Sequence, residues 1–318
     1  MTKILVTGAS GFIGSNLVPR LIKENHEVYC LLRYVSNRVP NLPPETNPVF
    51  CDLRDSLDLR KVLKDVNPEI IVHLAASSSV AYSHLHSQEM FDINLLGTVN
   101  LAQAAKEISA LEKFISASTS ETYGNQDILP IKEGAPLRPN TPYSISKVAA
   151  EDFLNYMYAA HGFPVLIAKP FNTYGRIDNY NFITERIITQ MITDRGVVLG
   201  NPDPIRDFLY VDDHVNGYMK LVESSNILEK LGTNRAINFC TGRGFTIREW
   251  AEKIARLLDY KKDITWKLSY SRPTEIRSLM GDNTKAKELL GWEPKIAPEK
   301  GLALTIEKLV KKKERSGL

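Results

Sequence analysis

The octapeptide Thr7-Gly8-Ala9-Ser10-Gly11-Phe12-Ile13-Gly14 constrains the fold of this chain more than any other stretch. It follows a β-rich run, Lys3–Thr7, and leads into a run of helical spacing over residues 12–24. A glycine at 8 permits a tight turn, one at 11 lets backbone approach a pyrophosphate, and one at 14 lets the helix lie close to the strand. The N-terminus of such a helix offers free N–H groups to phosphate oxygens. Glycines also make ordinary turns, so the strand before the motif and the helix after it give it its meaning. The motif predicts a dinucleotide site at Gly8, Gly11, Phe12, Ile13 and Gly14.

The rhythm that starts there continues. β-rich runs at Glu27–Leu32, 49–50, 69–74, 113–116 and 164–169 alternate with helical spacing at Ser56–Val66, 88–108 and 141–161. Strands separated by helices form right-handed βαβ units, hence a parallel sheet covered on both faces. The fold class expected is therefore α/β, a Rossmann-type doubly wound sheet. After about residue 172 loops rich in Asn, Asp, Gly and Pro intervene, with helices expected at Val211–Glu223, 246–258 and Thr284–Leu290. We expect a cofactor-binding domain over 1–172 and a smaller, mainly substrate-binding lobe over 173–318, with segments free to cross between them.

Composition narrows the partners. The 318 residues are 43% hydrophobic and 24% charged, with a net charge of +3 from scattered basic residues. The one basic run, Lys311-Lys312-Lys313-Glu314-Arg315, continues an apolar helical pattern and reads as a solvated helix end, so no nucleic-acid partner is expected. No apolar stretch is long enough to span a bilayer, and Met1 leads within two residues into a core strand, so neither membrane insertion nor a signal peptide is expected. Three widely spaced cysteines, Cys30, Cys51 and Cys240, have no metal-ligand spacing and suit a reducing compartment. A cytoplasmic protein without a metal is the expectation.

Candidate site residues cluster where strands should end. Asp52, before Leu53, either accepts a hydrogen bond from an adenine amino group or caps the next helix. Leu74, Ala75 and Ala76 end a strand with small side chains where backbone can pass beside a ribose, and His73 reads as a packed strand residue. Tyr143 and Lys147, four apart on a predicted helix, share one face. An ammonium beside a phenol should favour the phenolate and lower the tyrosine pKa from about 10. The strand at 113–116 runs into Ser118-Thr119-Ser120-Glu121-Thr122, and ligands of open parallel sheets bind at such carboxyl ends. We expect this polar cluster to face substrate. Thr119 would hydrogen-bond the oxygen that Tyr143 deprotonates, and Glu121 would serve as a general base on a second substrate carbon.

Together TGASGFIG, HLAASSSV, ASTSETYG and YSISK resemble the extended branch of the short-chain dehydrogenases, which acts on nucleotide sugars. Within that branch the segment 117–121 is most similar to GDP-mannose 4,6-dehydratases. The resemblance implies a nucleoside-diphosphate-sugar substrate oxidised at C4, dehydrated across C5–C6 and reduced at C6. It leaves a 4-epimerase or a GDP-4-keto-6-deoxymannose reductase as the alternative, and a non-catalytic nucleotide binder as a remote one. It also implies substrate contacts at Ser78, Thr119, Ser120, Glu121, Asn172, Arg186, Arg206, Arg272 and Glu275, and a homodimer built on the helices at 88–108 and 141–161. Leu96, Val99, Phe153 and Met157 at helical spacing suit that contact. The chain departs from the GDP-mannose enzymes at Thr173, where they carry histidine. Finally, the second strand ends in Arg33, with Arg38 nearby and no acidic residue between Glu27 and Glu45, so NADP is expected as cofactor, with NAD the alternative.

Overall fold

A computed structural model describes residues 1–34, 42–177, 179–193, 196–270 and 274–316. Arg38 and Arg272 lie outside them. Six strands with the expected βα rhythm, β1 (Lys3–Thr7), β2 (Glu27–Leu32), β3 (Asn47–Phe50), β4 (Ile70–His73), β5 (Lys113–Ala117) and β6 (Val165–Pro170), are all parallel. A seventh, Ala236–Phe239, returns from the C-terminal half to pair parallel with β6. The order across the sheet, starting from that strand, is β6, β5, β4, β1, β2, β3. The order reverses between β4 and β1, so a crevice opens above their carboxyl ends.

Strand residues alternate between two cores, as period-two side chains must when both faces are covered. Ile4 and Val6, Ile70 and Val72, Ile115, Leu166 and Ala168 face one; Leu5, Ile71, Phe114, Val165 and Ile167 face the other. Helices α1 (Gly14–Lys23) and α2 (Ser56–Val66) flank opposite faces. Two short helices follow, α3 (Val80–Ser83) and α4 (Ser87–Met90). The expected helix at 88–108 is interrupted by a π-helical stretch, Phe91–Leu96, before α5 (Gly97–Ala105). There Asn94 turns inward, accepting from Ser77 N at 2.9 Å and donating to Ser146 Oγ at 3.1 Å. A wide turn at a polar anchor of this kind is where π-helical segments occur.

Helix α6 (Pro142–His161) starts on a Thr141–Ser144 capping box with Pro142 in its first turn, and packs with α2 and α5 on the second core. Beyond it, α7 (Ile183–Ile192) and α8 (Val211–Glu223) join the first core, where Arg20 of α1 pairs with Asp212 of α8 at 3.2 Å. Among the described residues no helix is long and apolar enough to cross a membrane.

Candidate active site

The glycine turn is built around close backbone contacts. Gly8 takes φ +69°, and a Cβ there would stand 2.7 Å from Ala75 N; a Cβ on Gly14 would stand 2.6 Å from Ala9 Cα. Gly11 meets only Gly8 O, at 3.1 Å, and lines a cleft of about 890 Å³ that runs along the carboxyl ends of the strands. Helix α1 begins without a side-chain cap or an acidic residue in its first turn, so its N–H groups and positive dipole end are presented to the cleft. This is a cradle suited to a pyrophosphate.

Arg33, Asp52, Leu53, Leu74, Ala75 and Ala76 line the same cleft. Asp52 is not the helix cap. That role belongs to Asp55, which accepts from the backbone of Leu57 and Asp58. Asp52 instead accepts from Arg54 Nε at 2.9 Å and Nη2 at 2.7 Å, and this pairing holds its carboxyl below the usual range. His73 is packed within the sheet, bridging Thr7 Oγ1 at 2.7 Å and Thr98 Oγ1 at 3.0 Å, and burial pushes its pKa down to about 3.

Thr119, Ser120, Glu121, Tyr143 and Lys147 converge on the cleft beyond β5. Thr119 hydrogen-bonds the Tyr143 phenol and also accepts from Glu121 N at 3.2 Å. The expected lowering of the phenol by Lys147 is not found. Burial dominates and pushes Tyr143 up to about 12, with the Thr119 hydrogen bond opposing, Glu121 adding to the rise and Arg176 opposing it. Burial also brings Lys147 down to about 8, and its Nζ donates to Ala117 O at 2.8 Å. An ammonium destabilised by its own burial has less charge to lend a neighbour.

Most of the polar strand end lines the cleft, and two of its hydroxyls also serve a charge pair behind it. Ser118, Thr119, Ser120 and Glu121 line the cleft. The Ser118 hydroxyl donates to Glu151, and Thr122 accepts from Lys169 at 3.0 Å. Glu151 and Lys169 form an ion pair of 2.7 Å with side chains only 6% and 2% exposed. Half of the hydroxyls thus satisfy a buried charge pair behind the site. Glu151, one turn past Lys147 on α6, could have been read from its spacing.

A second cavity of about 160 Å³ shares Asn172, Thr173, Asn181 and Phe182 with the cleft and adds Arg186, Arg206 and Glu275. Arg206 is buried, with Nη2 2.8 Å from Glu275 Oε1 and Nη1 donating to Ile276 O at 2.9 Å. Asn172 Oδ1 is buried without a hydrogen-bond partner among the described residues. Ser78 lies on the main cleft. Arg176, which sequence reasoning passed over although it directly follows Asn172-Thr173-Tyr174-Gly175, also lines it. Its guanidinium lies 4.2 Å over the Phe12 ring and 3.7 Å over that of Phe182, tying the glycine turn to the C-terminal half. His214 and Tyr218 of α8 were missed as well, because their approach to the cleft depends on packing between distant segments.

Comparison with known proteins agrees with this architecture. The GDP-mannose 4,6 dehydratase family model matches residues 5–305. UDP-glucuronic acid decarboxylase 6 of Arabidopsis thaliana is 33% identical over 96% of this chain and 88% of its own length. The structure of Thermotoga maritima UDP-glucose 4-epimerase with UDP-glucose superposes with a TM-score of 0.89, at 31% identity, over 98% of this chain and 99% of that one. That of Bacillus anthracis dTDP-glucose 4,6-dehydratase in complex with NAD gives a TM-score of 0.85, at 27% identity, over 99% and 98%. A cradle for pyrophosphate, a Thr–Tyr–Lys cluster at the strand ends and a polar side cavity thus occur in one chain matched nearly end to end, and this protein belongs to the nucleotide-sugar epimerase/dehydratase family of extended short-chain dehydrogenases.

Proposed function

We propose that this chain is a nucleotide-sugar 4,6-dehydratase acting on a GDP-hexose of the GDP-mannose type. The observation that carries the reading is Glu121, which lines the cleft beside Tyr143 closely enough for its charge to raise the phenol pKa. A bound nicotinamide dinucleotide supplies the reversible two-electron oxidation of a sugar carbinol. The residues present fit that group. Gly8, Gly11, Phe12, Ile13 and Gly14 would hold its pyrophosphate, Arg33, Asp52 and Leu53 its adenosine end, Leu74 to Ala76 a ribose, and Tyr143 and Lys147 the nicotinamide ribose. The gap left at Gly11 and the uncapped α1 terminus support this assignment.

The protein's own side chains divide the rest. Tyr143 takes the proton of the C4 hydroxyl as the phenolate, after losing its own proton, a loss that burial opposes and that the Thr119 hydrogen bond and Arg176 ease. A ketone at C4 acidifies the hydrogen on C5; Glu121 removes that proton and passes it to the C6 hydroxyl, which departs as water. The product then requires the two electrons taken from C4 to return to C6 as a proton is restored to C5. Asn172, Arg186, Arg206 and Glu275 would grip the nucleoside diphosphate from the side cavity, with Ser78 and Ser120 on the sugar. Incubation of the purified protein with GDP-mannose should yield a 4-keto-6-deoxy product detectable by mass loss of one water. Glu121→Gln should still oxidise C4 yet stall there, leaving the absorbance of reduced nicotinamide in the protein.

A 4-epimerase is the second reading, favoured by the likeness to the T. maritima epimerase. Epimerisation needs no base at C5. Interconversion of UDP-glucose and UDP-galactose at a rate untouched by Glu121→Gln would replace the dehydratase reading with this one.

A further inference from the structure

We propose that Glu151 is a positioning residue for the reaction: its carboxylate supports Lys147 by charge and locks the end of β5 in the register that brings Thr119 to Tyr143. The inference rests on the reading of Tyr143 and Lys147 as the reacting pair, and is the same for a dehydratase or an epimerase. Tyr143, Lys147 and Glu151 are spaced four apart on α6, so they form one stripe along the helix. Each holds one of three consecutive residues at the end of β5. The Tyr143 phenol shares a hydrogen bond with Thr119, Lys147 Nζ donates to Ala117 O at 2.8 Å, and Glu151 Oε1 accepts from the Ser118 hydroxyl. No motif assigns Glu151 a role. It is buried and does not line the cleft, so it acts through its neighbours.

The stripe is anchored from behind. Glu151 Oε2 lies 2.7 Å from Lys169 Nζ on β6, which also donates to Thr122 Oγ1 at 3.0 Å and sits 4.4 Å over the Tyr123 ring. The Tyr123 phenol donates in turn to Asn238 Oδ1 at 2.7 Å, on the seventh strand. The charge relation follows from this geometry. Burial brings the Lys147 ammonium down to about 8, and the charge that opposes the fall is Glu151. Lys169 is lowered by its own burial as well, with Glu151 again opposing. One carboxylate therefore serves two buried ammonium groups. The other titratable neighbours act elsewhere. From β4, His73 faces Lys147, but burial keeps it neutral with a pKa near 3. Burial likewise keeps the Tyr123 phenol protonated. Glu121 and Arg176 act on Tyr143, Tyr218 faces it too, and Asp152 and Glu133 act on Lys169.

The test is the titration of Lys147 itself, followed by NMR of the full chain labelled with ¹³C at lysine Cε, its signal being the one missing from Lys147→Met. In the wild type the midpoint should lie near 8. Glu151→Gln keeps an acceptor for Ser118 and removes the charge, so the midpoint should fall by about 1 or more on the pH scale. Glu151→Asp, which keeps the carboxylate, should restore most of it. Glu151→Gln also leaves Lys169 as a buried cation without its partner. The double variant Glu151→Gln/Lys169→Met removes that burden and should show the same fall even where the single variant does not fold. Turnover gives a second readout. The ratio of wild-type to Glu151→Gln turnover should grow by roughly tenfold from about pH 6 to about pH 9, as a tenfold change in proton affinity implies. An unmoved Lys147 midpoint in whichever variant folds, or a ratio flat with pH, would overturn the proposal and leave Glu151 a structural partner of Lys169. A wild type that turns over no nucleotide sugar would end the catalytic reading of the pair. The Lys147 midpoint would then decide the coupling alone, upheld by the fall and overturned by its absence.

Discussion

Tyr143 shows how far a residue's role can be read from neighbours in the chain. Its spacing from Lys147 is a local fact, and α6 does place both on the cleft. The sign of the lysine's effect is not local. Desolvation outweighs the neighbouring charge, and the cation that opposes the rise is Arg176, thirty-three positions downstream. Substituting phenylalanine for Tyr143 keeps the ring and removes the proton. Turnover should drop by ~10² or more, the usual worth of general acid–base catalysis, with nucleotide-sugar binding retained; turnover near the wild-type level would remove Tyr143 from the mechanism. Arg33 carries a second residue-scale prediction. It stands on the cleft at the end of β2 near Asp52, whose carboxyl it helps to hold low. Charge-assisted contacts to a 2′-phosphate contribute about 1.5–3 kcal/mol, so NADP should bind roughly ten- to a hundredfold more tightly than NAD. Arg33→Ala should narrow that gap. Titrations in which the unaltered protein binds NAD as well as or better than NADP would refute the preference.

Elements built from local patterns were legible, and those that depend on distant anchors were not. Ser56–Val66, Val211–Glu223 and Thr284–Leu290 form the helices their apolar spacing predicts. The π-helical stretch at Phe91–Leu96 left no trace in the hydrophobic period, since its cause is Asn94 reaching Ser77 and Ser146. Asp207 is a comparable anchor. Its carboxylate accepts from Thr241 N at 2.8 Å, Thr241 Oγ1 at 2.6 Å and Gly242 N at 2.9 Å, pinning the loop after Ala236–Phe239 beside Arg206. Asp207→Ala strands those part-buried donors, each bonded to a carboxylate, at about 1–3 kcal/mol each. A loss of roughly 3 kcal/mol or more should lower the thermal midpoint by on the order of 5–10 °C, and Asp207→Asn should recover part of it. A melting curve for the alanine variant that overlays the wild type would contradict this account of the loop.

At the scale of the whole molecule, the outer faces of the π-helical stretch and α6 expose apolar side chains: Leu96 is 50%, Ile145 42% and Tyr156 54% exposed. Met157, expected on the same face, is buried in the protein's own core, while Val99 and Phe153 are half-buried. An apolar face on two packed helices suits a symmetric partner face. Light scattering at micromolar concentration should return twice the mass of one chain; a monomer would count against the dimer. The sheet and the glycine cradle were readable from the chain because periodicity, turn glycines and strand-end hydroxyls act between residues a few positions apart. Arg176 over Phe12, the Glu151–Lys169 pair behind β5, the return of Ala236–Phe239 to the sheet and the approach of His214 to the cleft came only with the tertiary structure. Each joins segments whose separation along the chain carries no periodic signal, and burial, which sets their charge states, exists only once the two halves have packed.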